Sequence, residues 1–317
     1  MKRILFLLIL FLFSLSNVQA QLPNGSIAPD WTLTDINGAS HNLYSYLDNG
    51  YTVFIDFSAV WCSPCWNYHN SGALEDLYIN HGPAGYPGVS SSTSDDVMVF
   101  FIEGDENSET CLGGTGCNTV GNWITGTPYP IICTDGTVNN NNVNNDYQLA
   151  YFPTIYMVCP DRTITEAGQS STPYSLVNCL PPAVYNNDVR TFDYAGETLT
   201  CEGELLPEIM IQNYGLAPLT SLIIEVAVNG IIISNTPWSG NLATYAIDDI
   251  TLTSLQTYSL SDNDLVTINV TYPNGVVDAN PANNPIISFN VTMATQNVDM
   301  DVTVEITTDQ YASETTW

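Results

Sequence analysis

Two cysteines separated by two residues are the part of this sequence best suited to chemistry. Cys62 and Cys65 follow an apolar run that ends at Phe57. A cysteine at the start of a helix faces unpaired backbone N–H groups and the positive end of the helix dipole, which stabilise its thiolate and lower its pKa. Cys62 is therefore the predicted nucleophile. Cys65, one turn into the helix, is placed to attack a mixed disulfide at Cys62, and Pro64 suits the first helical turn, where no N–H is needed.

Buried strands and one long helix are predicted around this pair. Residues 51–57 and 97–102 are rich in Val, Ile and Phe, which indicates strands covered on both faces. A helix is predicted over 66–80, because apolar residues recur there at helical spacing and Gly82-Pro83 ends the segment. The order strand, helix, strand predicts a parallel crossover.

A third buried strand completes the first half of the chain. Residues 151–158 supply this strand, and 163–166 supply a short antiparallel return. Between 104 and 151 glycine, asparagine and threonine dominate, so this region is predicted to be a long loop insertion. Pro181-Pro182 marks the predicted end of the first domain.

From residue 183 the chain changes to short strands without long helices. Asn229-Gly230 and Asn274-Gly275 are hairpin turn signals, and they are predicted to join 222–228 to 231–234 and 265–272 to 276–277. Further strands are predicted at 208–212, 251–253 and 286–291. About seven strands in about 110 residues are typical of an immunoglobulin-like β-sandwich, here over 183–293. Residues 294–317 are predicted to be the start of a truncated third β domain or a tail on the sandwich.

The first twenty residues resemble a secretory signal peptide. Lys2 and Arg3 precede an apolar run over 4–13, and Val18-Gln19-Ala20 predicts cleavage before Gln21. The apolar run is too short to span a membrane, and no later stretch approaches the roughly 18 apolar residues required. The chain is therefore predicted to be exported, without direct membrane insertion.

The charge balance excludes one class of partner. The chain has 33 acidic residues against four basic ones, a formal net charge of −29. Removal of the signal leaves only Arg162 and Arg190 as basic residues, which lowers the net charge to −31. Nucleic-acid binding is excluded, because phosphate would be repelled. The acidic residues are interpreted as the solvated surface of a secreted protein.

The six other cysteines are interpreted as structural disulfides, as expected in an oxidising compartment. Cys111 and Cys117 flank a glycine-rich loop and are predicted to close a short disulfide. The remaining four allow three pairings, and sequence alone does not separate them. The pairing favoured is Cys133 with Cys159 and Cys179 with Cys201.

Other interpretations of the potential ligands are weaker. A zinc site at Cys62 and Cys65 needs two more ligands, and the sequence has no second Cys-x-x-Cys and no His-x-His, so no metal is predicted. The pair could also be a purely structural disulfide. His69 lies one turn after Cys65, but a surface position is expected for it. Asp278-Ala279-Asn280 lacks EF-hand spacing and is interpreted as an ordinary acidic loop.

The segment around the cysteine pair resembles the signature of the thioredoxin superfamily. The matching residues are Asp56, Phe57, Ala59, Trp61, Cys62, Pro64 and Cys65, and Phe152-Pro153-Thr154 is similar to the cis-proline element of that family. The resemblance covers about residues 22–180, and the long loop region is more similar to extracytoplasmic thiol–disulfide oxidoreductases than to compact thioredoxin. It implies an α/β thioredoxin-like domain over 21–180 and a reaction without a cofactor.

The resemblance also implies roles for individual residues. Cys62 attacks a substrate disulfide, Cys65 resolves the mixed disulfide, and Asp56 is a buried carboxylate with a raised pKa that accepts the Cys65 proton. Pro153, if cis, turns the backbone of Phe152 toward the sulfurs, so that a substrate chain can pair with it as an added strand. The residues expected to contact substrate are Trp61, Pro64 and Phe152. Strand capping by Asp56 and core packing by Trp61 are the structural alternatives.

Two positions depart from the usual pattern of the family. Ser63 replaces the residue type usual in reducing thioredoxins, so the redox direction stays open. Trp66 replaces a frequent basic residue and removes a cation near the site. Glu103 follows the second predicted strand. Some extracytoplasmic thiol–disulfide oxidoreductases carry a glutamate at this position that assists the reaction.

The second half of the chain resembles the cell-adhesion-related immunoglobulin-like domains of bacterial surface proteins. The residues that carry this resemblance are Asn213-Tyr214-Gly215, the Asn229-Gly230 turn and the segment 278–284. Exported proteins of Bacteroidota often contain such modules.

Two functional hypotheses follow. The first is an exported thiol–disulfide oxidoreductase with a Cys62–Cys65 redox pair, acting on cysteine-containing protein substrates together with a thiol redox partner in the periplasm, at the cell surface or outside the cell. The second is a surface adhesion or structural protein that uses the thioredoxin-like domain as a non-catalytic scaffold.

Overall fold

The computed structural model describes residues 21–200, 205–255, 258 and 260–294. The predictions for the signal peptide, for Cys201 and for the segment beyond Ala294 lie outside these residues. The chain divides into two compact units between Val184 and Tyr185. This division falls shortly after Pro181-Pro182.

The first unit mixes short helices and strands. In chain order these are β1 (Thr32–Thr34), β2 (Ser40–Asn42), α1 (Leu43–Asp48), β3 (Thr52–Ser58), α2 (Ser63–His69), α3 (Ala73–His81), β4 (Val97–Glu103), α4 (Glu109–Leu112), β5 (Ile131–Ile132), α5 (Asn142–Asp146), β6 (Thr154–Val158), β7 (Ile164–Glu166) and a 3₁₀ turn at Pro173–Leu176.

Five of these strands form one mixed sheet in the order β5-β4-β3-β6-β7. β3, β4 and β5 are parallel, whereas β6 and β7 are antiparallel to their neighbours. All residues of β3 and β4 are buried, as expected for central strands covered on both faces. This is the thioredoxin-like α/β fold, and the predicted parallel crossover between β3 and β4 is confirmed.

The helix predicted over 66–80 is two helices. α2 begins earlier, at Ser63, and ends at His69, while α3 begins after Gly72. Gly72 has a φ of 77°, a left-handed conformation that a right-handed helix cannot include. Apolar spacing did not reveal the break, because Leu74 and Leu77 of α3 resume packing on the core directly after it.

The region predicted as a loop insertion contributes to the core. It contains α4, β5 and α5, and β5 extends the central sheet. The side chains of Trp123 and Tyr147 in this region are fully buried. The low density of regular structure was predicted, but the burial of these aromatic rings was not.

The second unit is a β-sandwich. Its strands are β8 (Val189–Tyr194), β9 (Leu199–Thr200), β10 (Glu208–Asn213), β11 (Leu219–Val228), β12 (Ile231–Leu242), β13 (Ile247–Thr251), β14 (Leu265–Thr271), β15 (Ile287–Asn290) and β16 (Thr292–Met293). One sheet has the order β13-β10-β8 and the other β12-β11-β14-β15, while β9 pairs with β16. Residues of both sheets, including Ile209 and Ile224, share one apolar core.

One of the two predicted hairpins is wrong. β11 and β12 pair across Asn229-Gly230, where both residues have positive φ, as tight hairpin turns require. By contrast, Pro273–Gly275 is a 3₁₀ turn, and β14 pairs with β15 instead of residues 276–277. The strand predicted at 251–253 lies earlier in the chain, as β13 over Ile247–Thr251. An Asn-Gly pair in the sequence therefore predicts a turn but does not identify the strand that pairs with the one before it.

The left-handed conformation of Gly72 predicts a difference between two substitutions. Gly72→Ala should lower the free energy of unfolding by about 1 kcal/mol, because a Cβ is disfavoured at this φ although no atom crowds it. Gly72→Asn should have a smaller effect, since asparagine tolerates this conformation. Urea unfolding followed by helical circular dichroism measures both. Equal stability of Gly72→Ala and the unsubstituted chain would contradict the account.

Candidate active site

The two cysteines of the motif lie where β3 passes into α2. Cys62 is the N-terminal cap of α2, and its Sγ accepts a hydrogen bond of 3.2 Å from the backbone N–H of Cys65. The two residues are joined by a disulfide, with Cα atoms 5.3 Å apart. Pro64 lies exposed in the first turn. Reduction of the disulfide would leave a Cys62 thiolate facing the N-terminal N–H groups of the helix, which stabilise negative charge.

The proline of the second motif borders the same end of β3. The Phe152–Pro153 peptide bond is cis, and Pro153 directly precedes β6. β6 pairs antiparallel with β3, with Thr154 opposite Phe57. The sequence places these residues almost a hundred positions apart, and the sheet brings them together.

Trp61 and Phe152 form an aromatic edge beside the pair. Trp61 is 45% exposed, so its ring does not pack in the core. Its ring meets that of Phe152 edge-on, with centroids 6.3 Å apart, and its indole N–H donates to the Asp105 carboxylate. Gly104 lies against Phe152, where a Cβ would meet the ring at 2.5 Å. The backbone at Gly104 therefore holds the Phe152 ring of this aromatic edge in place from one side.

Asp56 lies inside the sheet, on β3, six residues before Cys62. It is 1% exposed; its Oδ1 accepts a hydrogen bond of 2.6 Å from the Ser58 hydroxyl, and its Oδ2 is buried without a hydrogen-bond partner. Burial raises the pKa of Asp56 from 3.8 to about 7, with a smaller contribution from the charge of Glu75, although the Ser58 hydrogen bond opposes the shift. A carboxyl with such a pKa can take up and release a proton near neutral pH.

A second group of polar side chains connects α2 to α3. Glu75 accepts a hydrogen bond of 3.3 Å from Tyr129, and its Oε1 is 3.6 Å from Nδ1 of His69. Burial lowers the pKa of His69 to about 4, so this ring is neutral at pH 7 and the contact is not an ion pair. The expected surface position of His69 is wrong, because its ring packs between Trp66 and Trp123. Its position on the same helix face as Cys65 was the available signal.

Glu103 holds the loop that leads to Cys62. Its carboxylate accepts hydrogen bonds from the backbone N–H groups of Val60, Asp105 and Asn107 and from the Asn107 side chain. Burial nevertheless raises the pKa of Glu103. These contacts connect the end of β4 to the segment between β3 and α2. Glu103 thereby positions the loop.

The remaining cysteines form a different pattern from the one favoured by sequence. Cys111 and Cys117 are bonded, and so are Cys159 and Cys179. The pairings of Cys133 with Cys159 and of Cys179 with Cys201 are therefore wrong. Cys133 follows β5 and Cys159 follows β6, which runs in the opposite direction with two strands between them, so the two Cα atoms are too far apart for a disulfide.

Cys133 carries no disulfide in the described residues. Burial, with neighbouring acidic residues, raises the pKa of its thiol to about 12. Cys133 is thus protonated at neutral pH and a poor nucleophile.

The described residues contain neither a metal-binding cluster of histidine, cysteine or acidic side chains nor a membrane-spanning helix. No three histidine, cysteine, aspartate or glutamate side chains of this part of the chain converge to hold a metal ion. None of its helices has the length and apolar composition needed to cross a membrane.

Comparison with curated proteins finds short matches to thiol–disulfide oxidoreductases. No protein-family model matches the chain. The thiol–disulfide oxidoreductase ResA of Geobacillus kaustophilus is 49% identical over 41 residues, which are 13% of this chain and 22% of that protein. ResA of Geobacillus thermodenitrificans is 46% identical over a match of the same length. The chain spans about a fifth of the length of these curated relatives.

Solved structures of two kinds are similar to this chain. The thioredoxin domain of a thiol–disulfide oxidoreductase from Bacteroides vulgatus has 18% identity and a TM-score of 0.36, covering 49% of this chain and 96% of that one. A thiol:disulfide interchange protein from Bacteroides has 17% identity and a TM-score of 0.34, covering 49% and 88%. The CARDB domain of a Pyrococcus furiosus protein, solved with di-metal ions, has 19% identity and a TM-score of 0.28, covering 35% and 93%.

The raised pKa of Asp56 predicts a pH-dependent stability. Between about pH 4 and pH 7 the folded state keeps a proton on Asp56 that the unfolded chain has lost, so the free energy of unfolding falls as the pH rises through this range. Asp56→Asn removes this ionisation. The variant should gain stability relative to the unsubstituted chain between pH 4 and pH 8, by a difference on the order of a few kcal/mol.

Urea unfolding at several pH values measures the effect. The matched control is Asp76→Asn, which removes an exposed carboxyl from α3. If Asp56→Asn kept the pH dependence of the unsubstituted chain, Asp56 would not titrate as described.

Proposed function

We propose that this protein is an exported thiol–disulfide oxidoreductase that exchanges disulfides with protein substrates through Cys62 and Cys65. The observation that carries the proposal is the Cys62–Cys65 disulfide at the start of α2, which follows the strand that buries Asp56 and pairs with the strand after the cis Phe152–Pro153 bond. The short match to ResA agrees with the chemistry.

In the reducing direction the reaction has two steps. The Cys62 thiolate attacks a substrate disulfide and displaces one substrate thiolate, which leaves a mixed disulfide. Cys65 then transfers its proton to Asp56 and attacks Sγ of Cys62, which releases the second substrate thiolate. The substrate gains two electrons, and Cys62 and Cys65 become a disulfide. The reverse sequence oxidises a substrate dithiol, and the relative reduction potentials of the two pairs set the direction.

Substrate is held at the aromatic edge. Phe152 and Pro153 precede β6, where backbone groups can pair with an extended substrate segment as an added strand. Trp61 and Pro64 are exposed and supply apolar contacts next to Cys62. The proposed partners are cysteine-containing proteins and a thiol redox partner that restores the pair. The exchange itself requires no cofactor.

Removal of the proposed nucleophile is the direct test. Cys62→Ser should reduce the rate of insulin-disulfide reduction with dithiothreitol to the uncatalysed rate, because serine cannot form the mixed disulfide. Cys133→Ser is the matched control, since that thiol is protonated at neutral pH, and it should keep the full rate. Equal rates for Cys62→Ser and the unsubstituted protein would contradict the proposed enzyme activity. They would favour the hypothesis that the thioredoxin-like domain is a non-catalytic scaffold.

A further inference from the structure

Two exposed aromatic rings next to Phe152 each hold a carboxylate. The indole N–H of Trp61 donates to Oδ2 of Asp105, and the hydroxyl of Tyr151 donates to Oε1 of Glu166. Trp61 is 45% exposed and Tyr151 is 52% exposed. Trp61 contacts the Phe152 ring, and Tyr151 directly precedes Phe152 in the chain. Both carboxylates therefore border the aromatic edge at which substrate is proposed to bind.

The position of Asp105 is fixed by its backbone as well as by Trp61. The backbone N–H of Gly104 donates to the Ser58 carbonyl over 2.8 Å, which ties the residue before Asp105 to the end of β3. The N–H of Asp105 donates to the Glu103 carboxylate over 3.1 Å. The Asp105 side chain is exposed and uses one oxygen for the indole, which leaves the other oxygen for a ligand.

Glu166 is held on the central sheet. It is the last residue of β7 and lies opposite Tyr156 of β6. Its backbone N–H donates to Oδ1 of Asn24 over 2.8 Å. The carboxylate of Glu166 also uses one oxygen for a hydroxyl, that of Tyr151, and keeps the other for a ligand.

No basic side chain of the described residues neutralises these two carboxylates. Between residues 21 and 184 the sequence has no lysine, and its one arginine, Arg162, lies 3.2 Å from Asp48. An exposed aromatic ring beside a carboxylate is suited to an ammonium or guanidinium group, because the ring face attracts the cation and the carboxylate accepts a charge-assisted hydrogen bond. An acidic segment would be repelled at the same place.

We propose that Asp105 and Glu166 select substrate proteins whose reactive cysteine is flanked by lysine or arginine. The inference rests on the proposed function, since it concerns the substrate of the Cys62–Cys65 pair. A substrate segment that pairs with the backbone before β6 brings the residues beside its cysteine to Trp61 and Tyr151. Cationic side chains cover these exposed rings and reach the second oxygen of each carboxylate.

Reduction of matched peptides by the full-length protein with dithiothreitol tests this specificity. Three disulfide peptides would differ only at the residues beside their cysteines, which are lysine, glutamine or glutamate. Each rate is compared with that of dithiothreitol alone, because neighbouring charges also alter the reactivity of a disulfide. At low ionic strength kcat/KM should be at least about fivefold higher for the lysine peptide than for the glutamate peptide. About 0.5 M NaCl should reduce this difference.

Two variants separate charge from structural support. Asp105→Asn keeps a side-chain oxygen that can accept the indole hydrogen bond but removes the charge. Its KM should rise for the lysine peptide and fall for the glutamate peptide, whereas structural damage would impair reduction of both. Glu166→Gln should act in the same direction. Asp76→Asn is the matched control, because it removes an exposed carboxyl from α3, and it should keep the preference for lysine.

The outcomes distinguish this inference from the proposed function. If Cys62 is required for reduction of all three peptides but their kcat/KM values are equal, the specificity is wrong and the proposed function stands. The specificity is also wrong if Asp105→Asn and Glu166→Gln both keep the full preference for lysine. If no peptide is reduced faster than by dithiothreitol alone, the proposed function fails and this inference fails with it.

Discussion

Burial of β3 on both faces is the constraint on which the site depends. β3 lies between β4 and β6, with Asp56 opposite Phe101 and Ile155. Because water is excluded, the Asp56 carboxyl retains its proton up to near-neutral pH. The same strand ends at Ser58, so it also fixes the start of the segment that leads to Cys62. The pairing with β6 brings Pro153 to this end. One buried strand thus positions the proposed nucleophile, proton acceptor and substrate-binding backbone.

Three buried acids of the described residues, Asp56, Glu103 and Asp188, accept hydrogen bonds from neutral donors. In the described part of the chain arginine occurs twice and lysine is absent, and Arg162 pairs with Asp48. Asp56 therefore relies on a serine hydroxyl, Glu103 on backbone N–H groups and Asp188 on asparagine amides. Neutral donors offset the desolvation of a carboxylate less than a buried cation does, and the pKa values of all three acids are raised. The raised pKa of Asp56, on which the proposed proton transfer depends, therefore arises from burial without a compensating cation.

The sequence predicted what depends on local patterns and missed what depends on distant contacts. The central strands, the crossover and the hairpin at Asn229-Gly230 follow from apolar runs and turn chemistry. The Cys159–Cys179 disulfide could not be deduced, because strand order decides which cysteines meet. The contact between His69 and Glu75 gave no signal in the sequence, and neither did the contact between Asp188 and Asn283. Each of these features needs the tertiary fold to become visible.

The central claim is that Cys62–Cys65 is a working redox pair, and its equilibrium with solution thiols tests this most directly. Folded protein would be incubated in dithiothreitol buffers of graded potential, alkylated, and analysed by mass spectrometry. The account predicts that Cys62 and Cys65 equilibrate reversibly with the buffer while Cys159 and Cys179 remain bonded. The account would be contradicted if Cys62–Cys65 and Cys159–Cys179 were reduced together and only when the protein unfolds. Cys62–Cys65 would then be a structural disulfide.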